Sequence, residues 1–371
     1  MKDNDIIYQI FVRNYSQEGT FNKVKGDLRR LKEMNISIIY LMPIHLIGEK
    51  NRKGTYGSPY AIKDYYSISP DLGTKEDLID LINEVHRLDM KIILDMVFNH
   101  TSPDNILLKD HEDYYYHKNG KLGNRVGDWS DIINLDTSKI ETQNYLIDVL
   151  KYYVNLGIDG FRFDVASLID KRLFVKAREL LGKDIIFIGE SIDDGFVKYL
   201  KEIGINPTPD NEMYPTFDSL YNYNYFRIFQ RYLNHQASIK ELVKAINEDN
   251  LNLRLLCLEN HDNERILSIL DKDKLIKWLD FFSFIKGQVF IYAGQEYGLK
   301  HKPELFEKDP IDLSDIDIDI FNIYKDYINR KLNQKQIVYQ HIDVINENTV
   351  KVSIKYINNE SVTKLFELPN K

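Results

Sequence analysis

The 371-residue sequence has one cysteine, Cys257, and no hydrophobic run long enough to form a membrane helix. A single thiol cannot form a disulfide within one chain, and its place inside an apolar run indicates a buried structural side chain. A membrane-spanning helix needs about 20 consecutive apolar residues, so no membrane partner is expected. These two absences exclude a disulfide-stapled scaffold and an integral membrane protein.

Basic residues are also outnumbered by acidic ones. The sequence has 49 Lys and Arg residues and 57 Asp and Glu residues, which gives a net charge of −8. An acidic balance disfavours nucleic acid as a partner, but it is compatible with a neutral ligand such as a sugar. The first residues are polar and lead directly into a strand-like run without the pattern of a signal peptide, which predicts a cytoplasmic location. The expected assembly is a monomer.

Several motifs of common enzyme classes are missing. There is no G-x-S-x-G elbow, so a serine hydrolase of the α/β type is not supported. No glycine-rich phosphate loop follows the first strand-like run, which argues against a dinucleotide-binding sheet. The histidines at positions 100 and 261 do not have the spacing of a zinc signature.

The sequence does contain eight short apolar runs that alternate with amphipathic stretches. The runs are residues 6–12, 36–42, 91–98, 158–163, 184–188, 217–221, 253–258 and 288–292, and the sixth is the weakest. Near-continuous apolar runs are typical of buried parallel strands. Eight such units in about 330 residues predict an α/β fold, a (β/α)8 TIM barrel, with a doubly wound sheet as the competing architecture.

Two segments depart from this alternation. Residues 101–139 are rich in Asp, Tyr, His, Asn and Gly with little helical periodicity, so they are interpreted as a small domain inserted after the third strand. Residues 334–371 show the alternation of antiparallel strands and predict a short C-terminal β region. The barrel would then comprise residues 1–100 and 140–333.

Four of the apolar runs end in charged or polar residues. Asp164 follows Arg162 by two positions, so both side chains lie on one face of a strand. A cation beside a carboxylate keeps it ionised, as a carboxylate nucleophile requires; the alternative interpretation is a structural ion pair. Glu190 ends the next run, where desolvation would raise its pKa and make it a general acid; the alternative is a carboxylate at a helix N-terminus.

Glycoside cleavage requires two carboxyl groups whose pKa values are shifted in opposite directions, one ionised and one protonated. Neighbouring strands lie about 4.7–4.9 Å apart, which suits the separation of about 5–5.5 Å in retaining enzymes. An inverting mechanism needs about 6.5–9.5 Å and suits neighbours less well.

These strand ends resemble the four conserved motifs of the α-amylase family, glycoside hydrolase family 13. The matching segments, in chain order, are residues 95–100, 160–164, 189–190 and 259–262. The resemblance extends from Tyr8 to about Arg330, and residues 57–60 with 64–66 are similar to the family's loop after the second strand. It implies the barrel, the inserted domain and a shortened C-terminal β domain.

The resemblance also implies roles. Asp164 would be the nucleophile, Glu190 the acid/base and Asp262 the residue that holds the distorted sugar. The implied substrate-binding residues are Tyr60, His100, Arg162 and His261, with Tyr60 as the stacking ring. The implied reaction is retaining hydrolysis of α-1,4-glucosidic bonds in maltooligosaccharides or soluble α-glucans.

No cofactor is expected to be required, although the resemblance suggests calcium, for which Asn99 and Asn134 are the candidate oxygen ligands. The chain departs from calcium-binding members because Val165-Ala166-Ser167 replaces a Lys-His pair after the nucleophile. The alternatives within the enzyme class are a transglycosylase and an α-1,6-acting glucosidase on the same site. A non-catalytic barrel is disfavoured because all three carboxylates are present.

Overall fold

The computed structural model describes residues 1–127, 129–221, 223–248, 254–314 and 316–371. In chain order, the strands are β1 (Ile6–Ile10), β2 (Ile38–Leu41), β3 (His45–Ile47), β4 (Ile62–Ile68), β5 (Lys91–Met96), β6 (His100–Thr101), β7 (His117–Lys118), β8 (Lys121–Leu122), β9 (Ile133–Asn134), β10 (Gly160–Phe163), β11 (Ile186–Gly189), β12 (Ser219–Leu220), β13 (Leu255–Leu256), β14 (Gln288–Tyr292), β15 (Ile337–Val344), β16 (Thr349–Tyr356) and β17 (Ser361–Glu367).

The α-helices are α1 (Val12–Tyr15), α2 (Phe21–Glu33), α3 (Lys75–Arg87), α4 (Ile140–Asn155), α5 (Lys171–Leu181), α6 (Asp194–Glu202), α7 (Asp210–Met213), α8 (Tyr223–Leu233), α9 (Ile239–Glu248), α10 (Ile266–Ile269), α11 (Lys272–Phe284) and α12 (Ile318–Leu332). Short 3-10 helices cover Ile106–Lys109, Glu112–Tyr114, Ala166–Leu168 and Gln295–Tyr297. Within the described part of the chain, every helix is too short or too polar to cross a bilayer.

Eight parallel strands form the central sheet, in the order β12-β11-β10-β5-β2-β1-β14-β13. A parallel bridge between Leu220 and Arg254 joins the two ends of this order and closes the barrel. The prediction of a (β/α)8 barrel is therefore confirmed. The strands are buried on both faces, which is why their sequences read as continuous apolar runs.

The predicted strands recur with shorter bounds. The eighth run coincides with β14, whereas the seventh run, 253–258, is reduced to β13, and its first residue, Leu253, lies outside the described residues. The weak sixth run is the two-residue strand β12. Only the hydrogen-bonded middle of each run forms a strand. The polar end of the run lies beyond the sheet, at the rim of the barrel.

The amphipathic stretches form the outer helices. In α3, Thr74 accepts a hydrogen bond from the backbone N–H of Asp77, whose carboxylate accepts one from the N–H of Thr74. This capping box satisfies two amide groups that a helix N-terminus would otherwise leave unpaired. The buried face of α3 comprises Leu78, Leu81, Ile82 and Val85, at the spacing of one helical stripe.

Two small antiparallel pairs, β6 with β9 and β7 with β8, occupy the excursion between β5 and α4. A hairpin of β3 and β4 follows β2, and the sequence analysis did not predict it. The last strands form a separate sheet in the order β15-β16-β17. The three-domain division with its boundaries stays a prediction.

Candidate active site

Three carboxylates surround one buried guanidinium at the carboxyl-terminal edge of the barrel. Nη1 of Arg162 lies 2.8 Å from Oδ1 of Asp95 and 3.1 Å from Oδ1 of Asp164, and Nη2 lies 2.9 Å from Oε2 of Glu190. All four side chains are buried. A planar cation with several N–H donors can hold several carboxylates in fixed positions.

Strand register explains why these residues meet. Residue 162 pairs with Asp95 across β10 and β5, and Phe163 pairs with Gly189 across β10 and β11. The next position on each of the last two strands carries Asp164 and Glu190. The two carboxyls thus leave adjacent strands at the same level, where neighbouring chains lie about 4.8 Å apart.

Close contact between β10 and β11 depends on Gly160. A Cβ atom at this position would lie 2.4 Å from the carbonyl oxygen of Ile186. A larger residue would push apart the two strands that carry Asp164 and Glu190.

A strained residue follows Asp164. Val165 has φ +36° and ψ +46°, a left-handed conformation that is costly for a β-branched side chain. In this conformation its backbone N–H donates a 2.7 Å hydrogen bond to Oε2 of Glu190. The strained backbone of Val165 thus orients the neighbouring carboxylate of Glu190.

Glu190 has another donor that the sequence analysis missed. The hydroxyl of Tyr223 donates to Oε1 of Glu190 at 3.1 Å, and Nδ2 of Asn260 donates to the Tyr223 oxygen at 3.4 Å. Tyr223 begins α8, after the weak strand β12, where no strong sequence pattern marks a strand end. The signal available in the sequence was a tyrosine just past a predicted barrel strand.

Asp95 belongs to the first motif, but its central position was not predicted. Besides Arg162, its carboxylate accepts hydrogen bonds from the hydroxyls of Tyr40 at 2.7 Å and Tyr60 at 3.1 Å. An aspartate inside an apolar run was the signal for such a buried polar partner.

Burial, and next the negative charge of Glu190, raise the pKa of Asp164 well above its ordinary value, while Arg162 acts in the opposite direction. The sequence analysis predicted the effect of Arg162 on this pKa but not the opposing effects of burial and of Glu190. The sequence could not show that Arg162 contacts three carboxylates and not Asp164 alone.

Tyr60 and His261 form one wall of the site. Their rings stack with centroids 5.5 Å apart and planes at 16°. The Tyr60 hydroxyl donates to Asp95, so Nε2 of His261, 2.7 Å away, donates to the Tyr60 oxygen, and Nδ1 accepts from Gln9 at 2.9 Å. This chain of hydrogen bonds fixes the orientation of both rings.

His100 and Asp262 complete the predicted set. Burial lowers the pKa of His100 to about 4, so its imidazole is neutral at neutral pH and can both donate and accept hydrogen bonds. Asp262 differs from the other carboxylates because its side chain is 49% exposed. It lies where an incoming ligand would contact it.

A cavity of about 350 Å³ brings the site residues together. Of the predicted residues, it is lined by Tyr60, Asn99, His100, Asn134, Asp164, Glu190, His261 and Asp262. Arg162 lies beneath the carboxylates. Other parts of the lining come from Trp129, which is 52% exposed, and from Phe196 and Phe306.

The tyrosines of the inserted segment do not share one role. Tyr115 is fully buried and Tyr114 stacks on His111, whereas Tyr116 reaches a groove beside the cavity. The segment therefore combines a small core with a wall of the site.

Asn134, one of the two predicted calcium ligands, is engaged in hydrogen bonds through both side-chain atoms. Oδ1 of Asn134 accepts the backbone N–H of Arg125 at 2.6 Å, and its Nδ2 donates to the carbonyl of Asn99 at 3.1 Å. The amide oxygen is thus engaged by a donor, and the guanidinium of Arg125 lies nearby, 3.1 Å from Asp136. Among the described residues, no group of three or more His, Cys, Asp or Glu side chains is placed to hold a metal ion.

Comparisons with known proteins cover almost the whole chain. The family model of the α-amylase catalytic domain matches residues 5–351. The crystal structure of an α-amylase from Lactobacillus plantarum is similar with a TM-score of 0.92 and 35% identity, over 100% of this chain and 89% of that one.

Curated relatives are longer. Alpha-amylase 3 of Dictyoglomus thermophilum is 26% identical over 84% of this chain and 68% of its own length. The probable oligo-1,6-glucosidase 3 of Bacillus subtilis is 24% identical over 79% of this chain and 65% of its own length. The chain thus spans about two thirds of the curated relatives it matches.

Proposed function

The chain belongs to the α-amylase family of glycoside hydrolases, and on this basis we propose that it hydrolyses α-1,4-glucosidic bonds in maltooligosaccharides or soluble α-glucans with retention of configuration. The observation that carries the proposal is the placement of Asp164 and Glu190 at the same level of adjacent strands, both held by Arg162. This placement favours the short carboxyl separation of retaining enzymes, about 5–5.5 Å.

In the first step, an oxygen of Asp164 attacks the anomeric carbon while Glu190 gives its proton to the departing glycosidic oxygen. The bond to the leaving chain breaks and a covalent glucosyl ester forms on Asp164. In the second step, Glu190 removes a proton from water, which attacks the same carbon and releases the sugar with its original anomeric configuration.

The charges at the site support these roles. In the first step, the transferred proton must be on Glu190 when the leaving oxygen departs, and Asp164 must be ionised to attack. Positive charge develops on the sugar next to Asp164 in the transition state, and this charge favours the ionised form of Asp164. The fixed guanidinium of Arg162 stabilises the same form without reorganisation.

The other predicted residues would hold the reacting sugar. Asp262, which is half exposed in the cavity, would accept hydrogen bonds from its hydroxyls. The neutral imidazole of His100 would donate to a neighbouring hydroxyl, His261 would hold Tyr60 in place, and Tyr60 would stack on the ring. No step requires a metal ion.

A second candidate reaction is cleavage of α-1,6 bonds, or transfer of the glucosyl group to another sugar. The similarity to a probable oligo-1,6-glucosidase supports it. Whether the glucosyl group is hydrolysed or transferred depends on which acceptor, water or sugar, reaches the intermediate.

We further propose that the protein acts as a monomer in the cytoplasm, without nucleic acid or membrane partners. The single buried cysteine suits a reducing compartment, and the net charge of −8 disfavours polyanions. Light scattering coupled to size exclusion checks the monomer, and a dimer mass would contradict it.

The test is product analysis with maltohexaose, recording chain lengths and the anomer released before mutarotation. We expect shorter products as α-anomers from the native protein. Asp164→Asn should lose activity by about 10⁴-fold or more because the nucleophile is removed. Asp148→Asn, at an exposed position of α4, is the matched control and should retain full activity.

Each other outcome redirects the proposal. A β-anomer would exclude the retaining mechanism. Products longer than the substrate would indicate a transferase, and turnover of isomaltooligosaccharides alone would indicate α-1,6 specificity.

A further inference from the structure

The loop that carries Asp262 is closed at its base by a buried ion pair. Nη1 of Arg265 lies 2.7 Å from Oε1 of Glu259, and the backbone N–H of Ile266 donates to Oε2 of the same carboxylate at 2.5 Å. Both charged side chains are at most 1% exposed. Asp262 lies near the middle of the loop, residues 259–266, that these contacts close.

Arg265 also ties this loop to the part of the rim that follows β14. Nη2 donates to the carbonyl of Ala293 at 2.9 Å, directly after the strand, and Nε donates to the carbonyl of His301 at 3.1 Å. We name residues 299–310, which have an irregular backbone, the rim segment. Because each guanidinium nitrogen has a different partner, the planar group cannot turn without losing several contacts at once.

The rim segment returns a contact to the loop. Nζ of Lys302 donates to the backbone carbonyl of Asp262 at 2.9 Å. On the other side of the same residue, the backbone N–H of Asp262 donates to Oδ1 of Asn260 at 2.9 Å. The main chain is therefore held on both sides of the Asp262 side chain, although its carboxylate is 49% exposed.

The rim segment is itself anchored on its far side, so Lys302 donates from a fixed base. Nδ2 of the buried Asn14 donates to the carbonyl of Glu304 at 2.8 Å, and its Oδ1 accepts the backbone N–H of Asp309 at 2.9 Å. One amide side chain of α1 thus bridges two points of the rim segment.

The geometry of Lys302 favours a positioning role over a purely electrostatic one. Within the described part of the chain, its ammonium forms no ion pair and is directed to a main-chain oxygen. Holding a lysine in one place costs side-chain entropy, and a contact with a carbonyl fixes the main chain without neutralising a carboxylate. Lys300, two residues earlier, is exposed to solvent instead.

Such a contact matters for the reaction because Asp262 has to meet the sugar hydroxyls as the ring flattens. A displacement of about 1 Å in a binding group can cost about a hundredfold in rate. An interaction that is strongest in the transition state acts on kcat more than on KM.

We propose that Lys302 and Arg265 are positioning residues that hold Asp262 where it binds the distorted sugar of the transition state. This inference rests on the proposed glycosidase function. It gives the rim segment a part in the reaction through Asp262, since neither Lys302 nor Arg265 belongs to the described lining of the catalytic cavity.

The experiment is a double-mutant cycle of Lys302→Met and Asp262→Asn, measured on maltohexaose and α-maltosyl fluoride. The fluoride departs with little help from an acid, so it keeps weakly active variants measurable. We expect Lys302→Met to lower kcat about tenfold on both substrates, the range of one hydrogen bond from a charged donor, with KM within about twofold of native. Lys302 is tested because removal of the buried Arg265 would also destabilise the fold.

Two further variants separate positioning from a general structural effect. In the Asp262→Asn background, Lys302→Met should change kcat by less than about twofold, because its effect passes through the missing carboxylate. Lys302→Arg restores a charged donor and should recover most of the native kcat. Lys300→Met, at the exposed position of the same segment, is the matched control and should leave both rates unchanged.

The outcomes distinguish this inference from the proposed function. If the native protein turns over the substrates and Lys302→Met has the native kcat, the positioning role is overturned and the proposed function stands. The same holds if Lys302→Met lowers kcat equally in the native and Asp262→Asn backgrounds. If the native protein turns over neither substrate, the proposed function fails and this inference fails with it.

Discussion

At the scale of single residues, the phenol of Tyr223 is the contact most open to a direct test. Its hydroxyl donates to Glu190, and replacing it with hydrogen in Tyr223→Phe leaves the ring in place. A hydrogen bond to a charged group contributes about 1.5–3 kcal/mol, so we expect kcat to fall about tenfold to a hundredfold. The pH–rate profile should change as well, because the lost donor contacts the carboxyl that is proposed to transfer the proton.

Tyr221→Phe is the matched control. Tyr221 lies beside Arg162, with the guanidinium 5.4 Å from its ring centroid, and among the described residues its hydroxyl has no hydrogen-bond partner. Loss of that hydroxyl should leave kcat within about twofold of native. Equal effects of the two substitutions would indicate a general disturbance of the site instead of a specific contact.

The amide of Asn134 leads to a prediction about metal. Since its oxygen already accepts the N–H of Arg125, a calcium ion at this place would compete with an existing hydrogen bond. We expect the rate on maltohexaose and the melting temperature to be unchanged after treatment with EDTA. A fall in either that added calcium restores would contradict this prediction.

At the scale of secondary-structure elements, the contact between β10 and β11 controls the distance between the two catalytic candidates. We expect Gly160→Ala to destabilise the fold by more than about 2 kcal/mol and to lower activity, because the new Cβ would meet the backbone of β11. Thermal unfolding and the rate on α-maltosyl fluoride are the measurements.

Gly26→Ala provides the opposite expectation. Gly26 lies inside α2, and a Cβ atom there would have no neighbour within 4 Å. Alanine is favoured over glycine in a helix by about 1 kcal/mol, so this variant should melt slightly higher and remain fully active. A loss of stability in both variants would show that the close approach of the strands is not the cause.

The element β3 begins with a histidine that has an unusual environment. His45 is buried against the edges of Tyr65 and Tyr153, and neither ring nitrogen has a hydrogen-bond partner among the described residues. Burial lowers its pKa to about 3. The unfolded chain binds a proton below about pH 6.5, so between pH 6.5 and 3 it holds more protons than the folded chain, and stability falls as the pH falls.

His45→Phe removes this titration and the unpaired nitrogens while keeping an aromatic ring of similar size. We expect a higher melting temperature at pH 5 and a smaller difference between pH 7.5 and pH 5 than in the native protein. Part of the acid sensitivity should remain, because His100 is also buried with a lowered pKa.

The barrel strands were predictable because a strand that is buried on both faces has a continuous apolar sequence. The polar residues after each such sequence mark the end of the strand. The hairpin β3–β4 was not predictable, since its pairing passes from His45–Ile68 through Leu46–Asp64 to Ile47–Ile62 with two register shifts, whereas periodicity assumes a regular register. Site residues with a charge at a strand end could be identified. The partners that orient them could not, because the contact of Arg162 with Asp95 requires knowledge of which strands are neighbours.

At the scale of the whole molecule, the C-terminal sheet is attached to the barrel through aromatic contacts. Phe366 of β17 packs on Phe281 and Phe284 at 5.6 and 5.2 Å, and Nε1 of Trp278 donates to the carbonyl of Pro369. The sheet therefore covers hydrophobic side chains of α11.

Phe366→Ala should destabilise the protein by about 3–5 kcal/mol, the usual cost of deleting a buried phenylalanine. The rate per folded molecule should be unchanged below the melting transition, because the contact lies far from the catalytic cavity. Leu365→Ala is the control on the same strand, since that side chain is 59% exposed and should be nearly neutral. A native melting temperature for Phe366→Ala would show that the sheet contributes little.

Because the single thiol is buried, the folded protein should be nearly unreactive toward thiol-directed labels. Cys257 is enclosed in the core and burial raises its pKa, so maleimides and similar reagents have little access to a thiolate. A cysteine introduced at the exposed Lys198 of α6 would react selectively and carry a fluorophore beside the groove that Tyr116 and Tyr199 line. Ligand binding near this helix could then be followed optically in real time without altering the native cysteine.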